Sequence, residues 1–189
     1  MKAPRNQPKV KHVFDFDAFI NPSIYADEDP AHFREFLRRV QEALKPQGAV
    51  EITLVDDFVI NQWDAMRYRR LLQKHIASCQ SEGLAAILDT LPMDEEERQE
   101  LVDGFAAGNE EVVARVTEVL ASAGHDLETV QARTLALRST EISGFQTLIA
   151  AHEKRRNKSL KDFHDGRYRA ELEQRRRDKH AAERRQADE

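Results

Sequence analysis

Apolar residues recur at spacings of three and four along most of this chain, the period of a helix buried on one face. Asp29 suits an N-cap and Pro30 a first helical position. Phe33, Phe36, Leu37, Val40 and Leu44 then form one stripe, and Lys45-Pro46-Gln47-Gly48 ends it. Val50, Ile52 and Leu54 alternate as in a strand. Val55, Phe58, Val59, Trp63, Met66, Leu71, Leu72 and Ile76 follow a helical period for far longer than a strand runs. The spacing therefore predicts one helix over 49–78, antiparallel to the first because the connection is short. Gly83 to Thr90 predicts a short apolar helix or turn. Asp94 caps the next, which Gly104 and Gly108 close, and Asn109 caps another carrying Val112, Val116, Val119 and Leu120. After Gly124, Asp126 caps a last helix.

That last helix has the most regular pattern. Leu135, Ile142, Ile149, Arg156 and Phe163 fall seven apart, with Phe145, Leu148 and Leu160 widening the stripe. Unbroken over 127–172 it would span about 70 Å, more than a compact domain of this size, so its far half should project. Beyond Leu172 no large apolar residue remains, and i,i+4 pairs such as Glu171–Arg175 add only about 0.2–0.5 kcal/mol each. Residues 173–189 are expected to fray or be disordered unless bound. The expected fold is all-α: an antiparallel hairpin (29–44 with 49–78), a small helical insert (about 81–124) and a long C-terminal helix with coiled-coil character. The divisions are 1–28 as an N-terminal arm and extended segment, 29–172 as the helical domain, and 173–189 as a charged tail.

Charge sharpens this outline. The net charge of −5 over 189 residues is an average of unlike regions. Residues 81–130 hold 13 acidic and 2 basic side chains, whereas 154–185 hold 13 basic and 6 acidic. Such asymmetry speaks of partners more than of fold. Lys2, Arg5, Lys9 and Lys11 add a basic arm that Pro4 and Pro8 keep from regular structure. The single cysteine, Cys79, excludes a disulfide framework and a multi-cysteine zinc site, which reads as a reducing cytoplasm. No apolar run is long enough to span a bilayer, and no apolar core of a secretory signal stands at the N-terminus.

Candidate chemistry is sparse. Val13-Phe14-Asp15-Phe16-Asp17 resembles the DxD motif of haloacid-dehalogenase-type phosphotransferases, where one Asp is nucleophile and the other acid/base. That chemistry needs a doubly wound sheet, which the helical remainder does not offer. His75 and Cys79 lie four apart on one helix face, a spacing open to two metal ligands, but no third is evident. The reading is therefore of no catalytic, cofactor or metal residues. Arg67, Arg70 and Lys74 form a basic flank beside Trp63, suited to phosphates or to the acids of 94–103 within the same chain. Lys154, Arg155 and Lys158, then Arg175, Arg176 and Arg177, make two more basic groups for nucleic acid or an acidic partner.

Asp29-Pro30, Phe33, Phe36-Leu37, Lys45-Pro46, Val55-Asp56-Asp57-Phe58, Trp63-Asp64 and Arg67-Tyr68-Arg69-Arg70-Leu71 resemble an uncharacterised family of bacterial all-helical proteins. Its pattern is V-x-D-x5-W-(D/E)-x2-R-x-R-R-L. Val119 to Gly124 and Glu153 to Asn157 resemble its later segments. The resemblance implies that the long helix around Trp63 and the C-terminal helix are family features, and it carries no activity, cofactor or catalytic residue. The expected function is a non-enzymatic interaction or adaptor protein, self-associating through Ile142, Phe145, Ile149, Leu160 and Phe163. It would form a homo-oligomer or take a helical protein partner. A nucleic-acid-binding accessory protein is the alternative, and Asp15/Asp17 phosphotransfer the outsider.

Overall fold

A computed structural model describes residues 28–187. These form an all-α structure with no strand among the described residues. The elements are α1 (Pro30–Leu44), α2 (Gly48–Ser78), α3 (Gln80–Leu88), α4 (Glu95–Ala106), α5 (Glu110–Ser122), α6 (Leu127–Leu137) and α7 (Ser139–Ala187). The acidic pair Asp15/Asp17, the flanking phenylalanines and the basic arm lie outside the described residues.

Helix starts follow local cap chemistry. Asp29 accepts from the Ala31 N–H at 2.8 Å, and Asp94 from Glu97 at 2.8 Å. Asn109 accepts from Glu111 at 3.0 Å. Asp126 and Thr129 close a reciprocal capping box. Each side-chain oxygen satisfies a donor that the first turn leaves without a helical partner, worth about 1 kcal/mol.

Two long helices make a rod. α2 has 31 residues and α7 has 49, about 46 and 74 Å at helical rise. They run antiparallel: Phe145 meets His75, Glu153 meets Arg69, Arg156 meets Gln62 and Arg167 meets Glu51. Buried Val55, Val59 and Ala65 on α2 and Phe163 and Ile142 on α7 supply its apolar core. α1 packs antiparallel on another face of α2, with Phe33 edge-on to Trp63 at 5.4 Å between ring centroids. The expected hairpin of α1 with α2 is present, but α2 has its most extensive packing with α7.

At one end of the rod sits an acidic head of four helices, α3–α6. Leu84, Ile87, Leu88, Leu101, Val116, Leu120 and Val130 form its core, flanked by Met93, Phe105 and Val112. Full burial of each such side chain contributes roughly 1.5–3 kcal/mol. Both long helices of the rod break where the head begins, α2/α3 at Cys79 and α6/α7 at Arg138. The helix expected to run unbroken from 127 is thus two helices. Arg138 leaves helical geometry (φ −104°, ψ 22°) and reaches across to Glu82 while bonding Glu141 at 3.1 Å. Just inside the head, α3 and α6 approach closely at buried Gly83. A Cβ there would lie 2.7 Å from the Val130 carbonyl oxygen and 2.9 Å from the Thr134 nitrogen.

The other end of the rod is open. α2 begins level with Arg167, and α7 continues for 20 more residues, about 30 Å, to Ala187. Past Leu172 every side chain described through Arg185 is exposed. The helix persists through the segment expected to fray, with Arg175–Glu171 at 2.5 Å and Arg177–Glu173 at 3.6 Å along its surface. No helix among the described residues is long and apolar enough to cross a membrane.

Candidate functional site

The densest polar cluster lies where α1, α2 and α7 meet. Glu28 directly precedes the α1 cap, and its side chain is 1 % exposed. It receives Arg67 Nε at 2.8 Å and Nη2 at 2.7 Å, a two-pronged bond that fits the flat guanidinium to the flat carboxylate. Arg70 Nη2 donates at 2.7 Å and Trp63 Nε1 at 3.3 Å to the same carboxylate. Arg67, itself 5 % exposed, also gives Nη1 to Asp64 at 2.6 Å. His152 of α7 stands beside them, its Nδ1 3.1 Å from Asn61 Oδ1 and 3.6 Å from Asp64 Oδ2. Its ring tilts against Tyr68 at 5.5 Å.

This cluster relocates the first basic group. Arg67 and Arg70 face Glu28 and Asp64, not the acids of 94–103, so Arg67 is buried and withheld from an outside phosphate. Arg98 and Arg115 serve the acidic segment instead, bonding Glu95 and Glu97 at 2.7 Å. Lys74 is exposed on α2. Trp63, Asp64, Arg67, Arg69 and Arg70, which carry the family-like pattern, all bond within this clasp or across to Glu153. The pattern is therefore an assembly pattern, joining the start of α1 to α2 and α7. Asp64 and His152 have the makings of a base and its orienting group, but among the described residues no hydroxyl or thiol bonds the imidazole.

The stripe on α7 finds a partner inside the chain. Phe163 is 2 % exposed, Ile142 is buried, and Phe145, Ile149 and Leu160 are half-buried. Their side of α7 is the side that meets α2, so in this arrangement they do not form a free self-association surface. The most exposed large apolar side chains among the described residues lie at the open end, Val50 of α2 (75 %) and Tyr168 of α7 (63 %), while Met66, Leu148 and, on α6, Leu127, Leu135 and Leu137 are less exposed.

Sequence reasoning missed two arginines that organise the rod's ends. Arg167 donates to Glu51 at 2.8 Å and to the Lys45 carbonyl at 2.6 Å, and its guanidinium lies 4.3 Å over the Phe163 ring. It ties the α1–α2 turn to α7. Arg167 and the Gln47 N–H hold the Glu51 carboxyl below its ordinary range. Arg138 does the equivalent at the head, its own pKa raised by Glu82 and then Glu141. In the sequence Arg138 stands alone among apolar and polar neighbours, while Arg167 is one of several basic residues on the last helix. Asp56 differs: burial raises its pKa, the Gln41 amide at 3.3 Å opposes this, and neighbouring Asp57 adds to it.

The second and third basic groups stay outside. Lys154, Arg155, Lys158, Arg175, Arg176 and Arg177 are all exposed on α7. Lys158 pairs with Asp162 at 2.9 Å, whereas Lys154, Arg155 and Arg176 have no ion pair among the described residues. His75 Nδ1 and Cys79 Sγ are 4.0 Å apart at the break between α2 and α3. Among the described residues no group of three or more His, Cys, Asp or Glu side chains could share a metal ion. A shallow groove of about 700 Å³ runs over the head between Leu91–Met93 and α5. No family model matches the chain, and no curated protein or solved structure is significantly similar to it.

Proposed function

We propose that this chain is a non-enzymatic helical interaction protein, a rod that holds an acidic head at one end and offers α7 to a partner at the other. The observation that carries the reading is the run of α7 past the end of α2. From Tyr168 to Arg185 every described side chain but Leu172 is exposed, so this stretch of helix lacks the tertiary contacts that usually stabilise helices. Its ion pairs are surface pairs worth about 0–1 kcal/mol each. A binding surface gives this segment a reason to be long, charged and helical.

The chemistry of the clasp supports the same reading. Its ionisable groups are turned on one another and fix three chain segments, so they serve rigidity. Self-association through α7 enters here as one form of the interaction, now centred on Val50, Tyr168 and Leu172 at the open end.

Photo-crosslinking in cells tests the proposal. A photoreactive residue at Tyr168, Leu172 or Arg176 should give discrete adducts with protein, nucleic acid or a second copy. The same residue at Arg133 on the head should not. Absence of adducts from all three α7 positions overturns the reading.

A further inference from the structure

The side of α7 turned away from α2 carries a row of cations. At 100° per residue, Lys154, Lys158, Lys161, Arg169, Arg176 and Lys179 fall within a sector of about 80°, opposite Phe145, Ile149 and Phe163. All six are exposed. The row is about 38 Å long at helical rise, close to one turn of a nucleic-acid duplex. Asp165 interrupts it, Lys158 pairs with Asp162, and Lys179 lies 3.8 Å from Glu183. Lys154, Lys161, Arg169 and Arg176 have no ion pair among the described residues.

We infer that this ridge binds the phosphate backbone of a nucleic-acid duplex, an inference that rests on the interaction reading and names its partner class. Two features choose a duplex over an acidic protein. First, the ridge is convex and holds half-buried Leu172 as its one large apolar side chain, with exposed Tyr168 at its edge, whereas protein interfaces draw their energy from a desolvated apolar or aromatic centre. Phosphate binding requires cations in a row and releases condensed counterions for its driving force. Second, the acidic head lies beyond one end of the ridge, about 24 Å of helix before Lys154. A polyanion would therefore attract the ridge, repel the head and orient the molecule along one direction. The near absence of aromatics also favours a duplex over single strands, which need stacking platforms.

The test uses the full chain, a fluorescent duplex of about 24 base pairs, and anisotropy across a salt series. Four to six neutralised phosphates predict a log–log salt slope of about −4 to −5. The triple variant Lys154→Glu, Lys161→Glu, Arg169→Glu should lose at least about tenfold in affinity with unchanged circular dichroism, while Arg133→Glu on the head should bind as the parent. Should the triple variant misfold, the neutral pair Lys161→Gln, Arg169→Gln keeps the test, since it should flatten the slope by roughly two. A slope near zero, or variants that bind as the parent, overturns the inference. Polyglutamate of matched charge forms the second arm. Tighter binding to it than to the duplex overturns the nucleic-acid inference and leaves the interaction reading standing. Binding to neither at low salt likewise overturns the duplex, and the crosslinking adducts then decide the broader reading by themselves.

Discussion

Glu28 shows how much one residue can hold. It lies outside α1, yet its carboxylate receives Arg67, Arg70 and Trp63. A buried ion pair is nearly neutral against an apolar substitute but costly to break from one side, because the remaining charge stays buried. Glu28→Gln should therefore destabilise the fold by about 3–5 kcal/mol, read as a fall in the urea midpoint. Adding Arg67→Met to it should recover part of that loss, and a double variant no better than the single would contradict the account. Asp56 gives the opposite case. Its folded pKa lies above the ordinary value, so the ionised carboxylate subtracts stability at neutral pH, and the penalty is relieved as pH falls through the raised value. Asp56→Asn keeps the acceptor for Gln41. It should raise the urea midpoint at neutral pH, with the advantage over the parent vanishing in the acid range. Cap residues such as Asp94 and Asn109 were legible in the sequence, since their partners lie within three residues. The role of Glu28 was not, because its partners are 35 to 42 residues away.

Among the elements, α3 and α6 meet most tightly. Gly83 faces the backbone of Val130 and Thr134, which cannot rotate aside as a side-chain tip can. Gly83→Ala should cost about 1–3 kcal/mol through overpacking, although alanine is the better helix former by about 1 kcal/mol. Thermal unfolding would show it; a raised melting temperature would mean that the helices can part without loss. Periodicity gave the existence of nearly every helix and the all-α class. It could not show which face meets which. The Ile142–Phe163 stripe calls for burial without naming what buries it, and its partner, α2, lies 84 to 116 residues upstream in the bonds that bridge them. The break at Arg138 was invisible for another reason. No glycine or proline stands at Leu137-Arg138-Ser139, and Arg138 at the break bonds Glu82, 56 residues upstream.

At the scale of the whole molecule, charge and length act together. The head and the basic stretch of α7 are kept apart by the rod, so their opposite charges do not cancel at close range. Screening has a length of about 8 Å at physiological salt, about a third of the 24 Å of helix between Arg138 and Lys154, where the basic stretch begins. A bland net charge of −5 thus belongs to a strongly polar object. Removing residues 171–189 should leave the melting temperature of the remainder within about 2 °C, because surface substitutions away from packed features stay within about 0.5 kcal/mol. Differential scanning calorimetry of the shortened chain checks this, and a large drop would mean that the segment supports the fold.

The paired breaks at Cys79 and Arg138 also set an order of assembly. The head closes over shorter separations, Glu82 and Arg138 being 56 residues apart, than the rod, whose bridging bonds join residues 84 to 116 apart. The head can therefore form first and act as an oversized turn, bringing α2 and α7 into register and shortening the loop whose closure entropy the rod must overcome. Leu120→Ala in the head core should then slow refolding, and Phe163→Ala in the rod should mainly hasten unfolding, a difference that stopped-flow chevrons resolve. On a ribosome, α2 would emerge complete and wait for a helix of the rod not yet made. The four small helices in between become the hinge pin around which the later half is threaded home.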